Sequence, residues 1–309
     1  MGGDHAPSAI VDGAVPAARH LDIQLLLTGV PGAIESALDR HPGWRGLRTT
    51  IVDAPDVIDP SEPPAALRRK SRTSIRVAAD LVARREADAL FSAGHTGETV
   101  LACHAAFGMI PGVDRPALAT TIPTRRRPAV LLDVGANAQC RPQHLLQFAI
   151  MGAVYARVAL GVDEPRVGLL SIGEEESKGN ELTREAHRLL KTSRMNFIGN
   201  IEGRDIFSGA ADVIVCDGFT GNVVLKTSEG LVEALDALLG DDLRRVLDYS
   251  EYGGAPLLGV AGLAIVGHGR SSPKAVRNAI AMAHRFAVSD LIQRVESDIA
   301  AATSSRLLH

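Results

Sequence analysis

The sequence is 309 residues long, 46% hydrophobic and 22% charged, with a formal net charge of −3 at pH 7. Those values fit a soluble α/β protein that can bury a sizeable core, and they argue against a chain that binds nucleic acid as a whole. Cys103, Cys140 and Cys216 show neither metal-ligand spacing nor a disulfide framework, which suits a reducing cytoplasm. No secretory segment follows Met1, and the longest apolar stretch, residues 255–266, is glycine-interrupted and too short to span a bilayer.

In chain order, the pattern predicts a helix from 8 to about 20, a strand at 23–27, a helix after Pro31 and a strand near 49–52. A Pro-rich connection at 60–64 precedes a long helix to Glu86, with Arg72 and Thr73 as a point of interruption. Strands follow at 87–91, 129–132, 166–170, 212–215 and 260–265, with helices at 96–109, 143–160, 181–192, 221–239 and from 272 to about 300. The tail 301–309 reads as frayed. Such alternation means an α/β fold with a mostly parallel sheet and helices on both faces, as one domain over 1–300 or two joined lobes.

A glycine-rich loop stands after each of the later strands: SAGHTG at 92–97, DVGAN at 133–137, IGEEESKGN at 172–180, CDGFTGN at 216–222 and VGHG at 266–269. Strand, glycine loop and helix start, in that order, put backbone N–H groups and the positive end of a helix dipole at the carboxyl edge of a sheet, where an anion such as phosphate is held. Lys70, Lys178, Lys191, Lys226 and Lys274 are the only lysines among 33 Lys and Arg, so a lysine inside a loop, as at 178, singles itself out. Familiar nucleotide and hydrolase motifs are missing. Gly267 and Gly269 lack the third glycine of a dinucleotide fingerprint, no GK[ST] follows Lys178, and there is no GxSxG elbow or zinc spacing. What remains is anion binding with no cofactor and no metal called for.

Several blocks are similar to the phosphate acyltransferases of the PlsX family: MGGDHAP at the start, SAGHTG, IPGVDRPALA at 110–119, LDVGANAQCRPQHLLQFAIMG at 132–152, GEEESKGNEL at 173–182, CDGFTGNVVLKTSEG at 216–230 and YGGAPLLGVAG at 252–262. The resemblance runs to about residue 285. It implies a three-layer αβα fold like that of isopropylmalate dehydrogenases and phosphotransacetylases. It also implies a cytoplasmic homodimer, soluble or peripheral at the membrane, which converts long-chain acyl-acyl-carrier-protein and inorganic phosphate into acyl phosphate. A membrane glycerol-3-phosphate acyltransferase is the further partner it suggests.

On that reading Lys178 binds and neutralises phosphate, and Asn222, at a helix start, donates to phosphate or to the oxyanion. Asp4 and His5 of the opening motif, Gly94, Thr96 and Gly97, Gly135 and Asn137, Asn180, Gly218 and Gly221, and Gly269 complete a phosphate and substrate cleft. Each has a plainer reading: a polar loop for Asp4 and His5, a turn residue for Asn137, a helix cap for Thr96. Cys140 is more readily a small buried residue than an acyl acceptor, and Glu174, Glu175 and Glu176 should face solvent or pair with arginines. Arg68, Arg69, Lys70, Arg125, Arg126 and Arg127 offer basic runs to the acidic carrier protein, or a solvated face.

Three features depart from the family pattern. Members usually begin several residues earlier, with a short apolar strand leading into the opening motif; without it the sheet would carry a gap, so either the start lies upstream of Met1 or the protein is compromised. Glu98 places a carboxylate one turn into the helix after SAGHTG. The stretch between Gly230 and Tyr252 is shorter than usual, by about two dozen residues at most, which argues against membrane attachment, although Leu231, Leu235, Leu238, Leu239 and Leu243 form an apolar stripe. Two alternatives stay open: short-chain acyl transfer between coenzyme A and phosphate, and a non-catalytic scaffold that binds carrier protein.

Overall fold

A computed structural model describes residues 1–57, 70–235 and 253–306, the side chains of 305 and 306 excepted, and these fall into two compact units. The first takes residues 1–108 and 248–288, the second 109–247 and 289–309.

In the first unit, α1 (Ser8–His20), β1 (Leu25–Gly29), α2 (Pro31–Leu38) and β2 (Thr49–Asp53) follow one another, then α3 (Ser74–Ala83), β3 (Ala89–Ser92) and α4 (Thr96–Phe107). β1 and β2 pair in parallel from Leu25 opposite Thr49 to Gly29 opposite Asp53. After the second unit intervenes, β9 (Ala255–Leu258), β10 (Leu263–Val266) and α8 (Pro273–Val288) return to this unit. β10 runs parallel to β3 and antiparallel to β9. The strand expected at 260–265 starts later, at Leu263, and forms a hairpin with an unexpected strand before it, Ala255–Leu258, the chain turning at Gly259 with φ +91°. α1 lies so close to the start of α8 that a Cβ on Gly13 would stand 2.4 Å from the Pro273 carbonyl oxygen. Val11 and Val15 of α1 and Ile34 and Leu38 of α2 form a core cluster with Leu27 and Ile51 packed against it. Thr73, placed at the expected interruption, caps α3 by accepting from the Arg76 amide at 3.3 Å.

The second unit holds β4 (Ala117–Ile122), β5 (Ala129–Leu132), α5 (Pro142–Leu160), β6 (Val167–Leu170), α6 (Glu181–Lys191), β7 (Phe197–Ile201), β8 (Val213–Val215), α7 (Gly218–Leu235) and α9 (Leu291–Arg306). Strand order is β4-β5-β8-β6-β7, with β4 antiparallel to β5 and every other pair parallel. β5, β6 and β8 are buried at every position, as apolar runs covered on both faces must be. Asp212, 1% exposed at its side chain, ties the start of β8 to Arg166 at 2.9 Å and Arg127 at 3.0 Å. Burial alone would raise its pKa, but the side-chain and backbone hydrogen bonds from Arg166 and the bond from Arg127 outweigh it and hold the carboxyl below its usual range.

Two expectations fail at the C-terminus. The helix expected from 272 to about 300 is two helices, α8 and α9, broken where Asp290 adopts φ +52° and Ser289 gives its carbonyl to Arg294 Nε at 2.9 Å. The expected frayed tail is helical as far as Arg306, since α9 packs on α5 and Asp298 pairs with Arg157. No helix among the described residues is long and apolar enough to cross a membrane. The segment expected to be shortened falls largely outside the described residues, with Leu238, Leu239 and Leu243 of its stripe; Leu231 and Leu235 are exposed on α7.

Candidate functional site

Because β5, β8 and β6 are parallel neighbours, the loops that leave their carboxyl ends share one edge of the second unit's sheet. Those loops are 133–137, 216–222 and 171–180, so Gly135, Asn137, Gly218, Gly221, Asn222, Lys178 and Asn180 are all carried there. The shared edge is what the spacing of strand and glycine loop predicts. How the loops use their donors is different.

The nest of amides at 135–137 is filled by the chain itself. Asp133, fully buried, accepts from the amides of Gly135 and Ala136 at 3.0 and 2.9 Å, and from the amide and side chain of Asn137 at 2.8 and 2.9 Å. The amide of Leu118 adds a further bond at 3.0 Å. Burial pushes the Asp133 carboxyl above its ordinary pKa, against the pull of these N–H donors. Asn137 also donates to the Pro116 carbonyl at 2.6 Å, so it locks the turn from within rather than lining an open cleft. Sequence reasoning passed over Asp133 as a site residue; the signal was an Asp followed by glycine two positions on and asparagine four positions on, an Asx-type turn.

The start of α7 is likewise occupied. Asp217 accepts from the Thr220 amide at 2.9 Å and from its hydroxyl at 2.7 Å, satisfying a donor expected to face phosphate. Gly218 and Gly221 are spacers: a Cβ on Gly218 would sit 2.7 Å from the Asn137 carbonyl oxygen, and one on Gly221 only 1.9 Å from the Asp133 carbonyl oxygen. That contact seats Asn222 beside Gly135, with its amide donating to the Val134 carbonyl at 3.2 Å. The amide nitrogen has a second N–H, for which no bond occurs among the described residues, and the residue is exposed. Lys226, one turn further on, is an exposed partner of Glu229 at 2.7 Å.

The 171–180 loop is the open one. Lys178 is exposed and makes no ion pair among the described residues, although three glutamates precede it. Glu174 is drawn to Arg204 at 3.5 Å, and Glu176 to Lys191 at 2.7 Å, a hydrogen bond that lowers the Glu176 pKa. All three glutamates are exposed, as expected, though Glu176 takes a lysine rather than an arginine. Asn180 caps α6 by accepting from the Thr183 amide at 2.9 Å. Beneath the loop, the buried Ser171 hydroxyl has no hydrogen-bond partner among the described residues; nothing in the sequence marked it.

The remaining candidates lie in the first unit, where three loops converge. The Asp4 amide donates to the Gly269 carbonyl at 2.8 Å, Gly2 meets Gly94, and a Cβ on Gly269 would be 3.2 Å from Asp4 Oδ1. The side chains of Asp4 and His5 are exposed. Thr96 does not cap its helix: His95 occupies the N-cap position and makes no side-chain cap bond, with its ring 3.4 Å from where Gly97 would carry a Cβ. Glu98 is buried, 6% exposed. Of the basic runs, Arg68 and Arg69 lie outside the described residues, and Lys70 donates to the Val57 carbonyl at 2.7 Å. Arg125 and Arg126 remain exposed, but Arg127 is committed to Asp212. Burial pushes the Cys140 thiol up to about 12, which disfavours the thiolate that an acyl acceptor would need. No cluster of three or more His, Cys, Asp or Glu able to hold a metal occurs among the described residues.

The family model described as fatty acid synthesis protein matches residues 1–247 and 242–294. A phosphate acyltransferase of Heliobacterium modesticaldum is 48% identical, with 97% of this chain and 96% of that protein covered. This chain belongs to the phosphate acyltransferase family. A second member, from Syntrophotalea carbinolica, is 49% identical over 94% of this chain and 90% of its own. Identity at that level along nearly the whole length makes the chain an enzyme of this type. Among solved structures, a phosphotransacetylase from Streptococcus pyogenes matches with a TM-score of 0.63 at 18% identity, covering 90% of this chain and 91% of that one. A 4-hydroxythreonine-4-phosphate dehydrogenase from Klebsiella pneumoniae matches at 0.54 and 14%, covering 91% and 94%. These likenesses establish the α/β fold with its mostly parallel sheet.

Proposed function

We propose that this phosphate acyltransferase takes a long-chain acyl group from acyl-acyl-carrier-protein and gives it to inorganic phosphate, with phosphate seated at Lys178. The observation that carries this is the state of the lysine. Its ammonium stands exposed at the carboxyl edge of a parallel sheet while two of its three neighbouring glutamates are held by other cations. Glu175 remains beside the stem of Lys178, and the lysine, which makes no ion pair among the described residues, is a compact point charge suited to phosphate.

Phosphate is itself the nucleophile. One of its oxygens attacks the thioester carbonyl carbon, the carbon–sulfur bond breaks, and the carrier leaves as its thiol after taking up a proton. Lys178 neutralises the bound phosphate, and the free N–H of Asn222 supplies a donor to phosphate or to the carbonyl oxygen as charge develops. No covalent enzyme intermediate is needed, in keeping with the protonated Cys140. Assembly as a cytoplasmic homodimer, delivering acyl phosphate to a membrane glycerol-3-phosphate acyltransferase, belongs to the same reading.

The donor is tested by following acyl phosphate from palmitoyl-acyl-carrier-protein and from acetyl- or butyryl-coenzyme A at equal concentrations. Preference for the carrier-bound long chain is expected. Faster turnover of the short coenzyme A thioesters would replace this reading with a phosphotransacetylase-like one.

A further inference from the structure

The loop that carries Lys178 is tied down from one side of α6. Arg184, His187 and Lys191 are spaced three and four residues apart, so they stand in a row on one helix face. Arg184 donates through its guanidinium to the Gly179 carbonyl at 2.6 Å, and Lys191 pairs with the Glu176 carboxylate at 2.7 Å. His187, between them, is buried, 6% exposed, and reaches the loop through a second side chain. Its Nδ1 lies 2.9 Å from Oδ1 of Asn200 on β7, itself 7% exposed, and the Asn200 amide nitrogen donates to the Glu175 carbonyl at 2.9 Å.

Chemistry fixes the direction of each bond. A backbone carbonyl only accepts, so Asn200 turns its NH2 to Glu175 and its oxygen to the ring, and His187 carries a hydrogen on Nδ1. Phe197 of β7 meets the imidazole edge-on, with centroids 5.1 Å apart and planes at 77°, which holds the ring in place. The Glu175 carbonyl accepts a second time, from the Lys178 amide at 2.9 Å. That bond closes the turn 175–178, so the two lone pairs of one oxygen are divided between the turn that presents the lysine and the strand behind it. A buried histidine and asparagine between a helix and a sheet are costly where apolar side chains would pack as well. What the pair delivers is one oriented N–H to the turn that carries Lys178.

We propose that His187 and Asn200 are positioning residues for Lys178: His187 orients the Asn200 amide, Asn200 pins the Glu175 carbonyl, and the pinned turn sets the ammonium where phosphate is received. The inference rests on the seat proposed above for phosphate at Lys178. Both residues are buried and act through the turn rather than on the substrate. Their loss is therefore felt in the use of phosphate and not in the affinity for the acyl donor.

The test varies phosphate at saturating palmitoyl-acyl-carrier-protein, then the carrier at saturating phosphate, in His187→Leu, His187→Asn, Asn200→Asp and Lys178→Ala. His187→Leu fills the space without a donor, whereas His187→Asn keeps an N–H near the place of Nδ1. Asn200→Asp keeps its shape and the bond from His187 but sets an oxygen against the Glu175 carbonyl. His187→Leu and Asn200→Asp are expected to lower kcat/KM for phosphate about 100-fold, the cost of roughly 1 Å of misplacement, with KM for the carrier within about 3-fold of wild type. The Lys178 amide should exchange about 10-fold faster in both. His187→Asn should recover most of the loss, and His187→Leu added to Lys178→Ala should cost little more, because both act through one group. An impaired Lys178→Ala beside wild-type phosphate dependence in His187→Leu and Asn200→Asp overturns the positioning role and leaves the phosphate seat standing. Equal losses toward phosphate and carrier, additive with Lys178→Ala and not rescued by asparagine, overturn it in favour of a purely structural role. Wild-type kinetics in Lys178→Ala would remove the seat, and this inference with it.

Discussion

Replacing Gly221 by alanine sets a Cβ 1.9 Å from the Asp133 carbonyl oxygen, where ordinary contact begins at 3.4 Å. That oxygen belongs to a backbone held by the buried Asp133 turn, so the start of α7 must withdraw by more than about 1 Å. Overpacking of this kind costs about 1–3 kcal/mol, which lowers Tm by about 2–5 °C in a chain of this size. The larger effect falls on Asn222, whose 3.2 Å bond to Val134 is made across the same contact. On the role proposed for Asn222, a displacement of about 1 Å costs on the order of 100-fold in turnover. Gly230 in the same helix has nothing within 4 Å of its would-be Cβ, and alanine there should stabilise by about 1 kcal/mol without touching the rate. Acyl phosphate formation measured well below the lowered Tm, with circular dichroism confirming the fold, separates the two variants. Wild-type turnover and Tm in Gly221→Ala would refute the placement of α7 against the Asp133 turn.

Two other consequences are open to measurement. Because the folded pKa of Asp212 lies below the usual value, its contribution to stability is complete above about pH 4 and is lost as pH falls through the folded value. Asp212→Asn should therefore be less stable than wild type by about 2–3 kcal/mol at neutral pH, somewhat under the cost of breaking a fully buried pair because Arg127 is half-exposed. Denaturant titrations should find that gap closing below about pH 4; a gap constant down to about pH 2 would mean that the ion pairs are not its source. With its thiol pushed up to about 12, Cys140 should resist iodoacetamide at neutral pH, and Cys140→Ser should turn over within about 2-fold of wild type, whereas stoichiometric alkylation with loss of activity would return it to the reaction.

The parallel strands were the most legible part of the sequence. Ala129–Leu132 matches its expected bounds to the residue because a run buried on both faces has no polar positions to blur it. Ala117–Ile122 and Phe197–Ile201 were missed for the opposite reason: ALATTI is two-thirds threonine and alanine, and FIGNI carries a glycine at φ +96° and an asparagine. The edge that carries Lys178 and Asn222 could be read from loop spacing alone. What could not be read was that Asp133 and Asp217 already occupy donors that the same spacing offers to phosphate. An amide nest attracts any carboxylate within reach, and a sequence pattern does not say whether the anion comes from outside the chain or from within it.

The most direct measurement of the central claim is the rate of acyl phosphate formation against inorganic phosphate concentration for wild type and Lys178→Ala, with palmitoyl-acyl-carrier-protein saturating. Loss of one preorganised donor predicts a fall of about 100- to 1,000-fold in turnover, with saturation by phosphate weakened. Near-normal turnover and an unchanged phosphate dependence in a folded Lys178→Ala protein would contradict the assignment of phosphate to this loop.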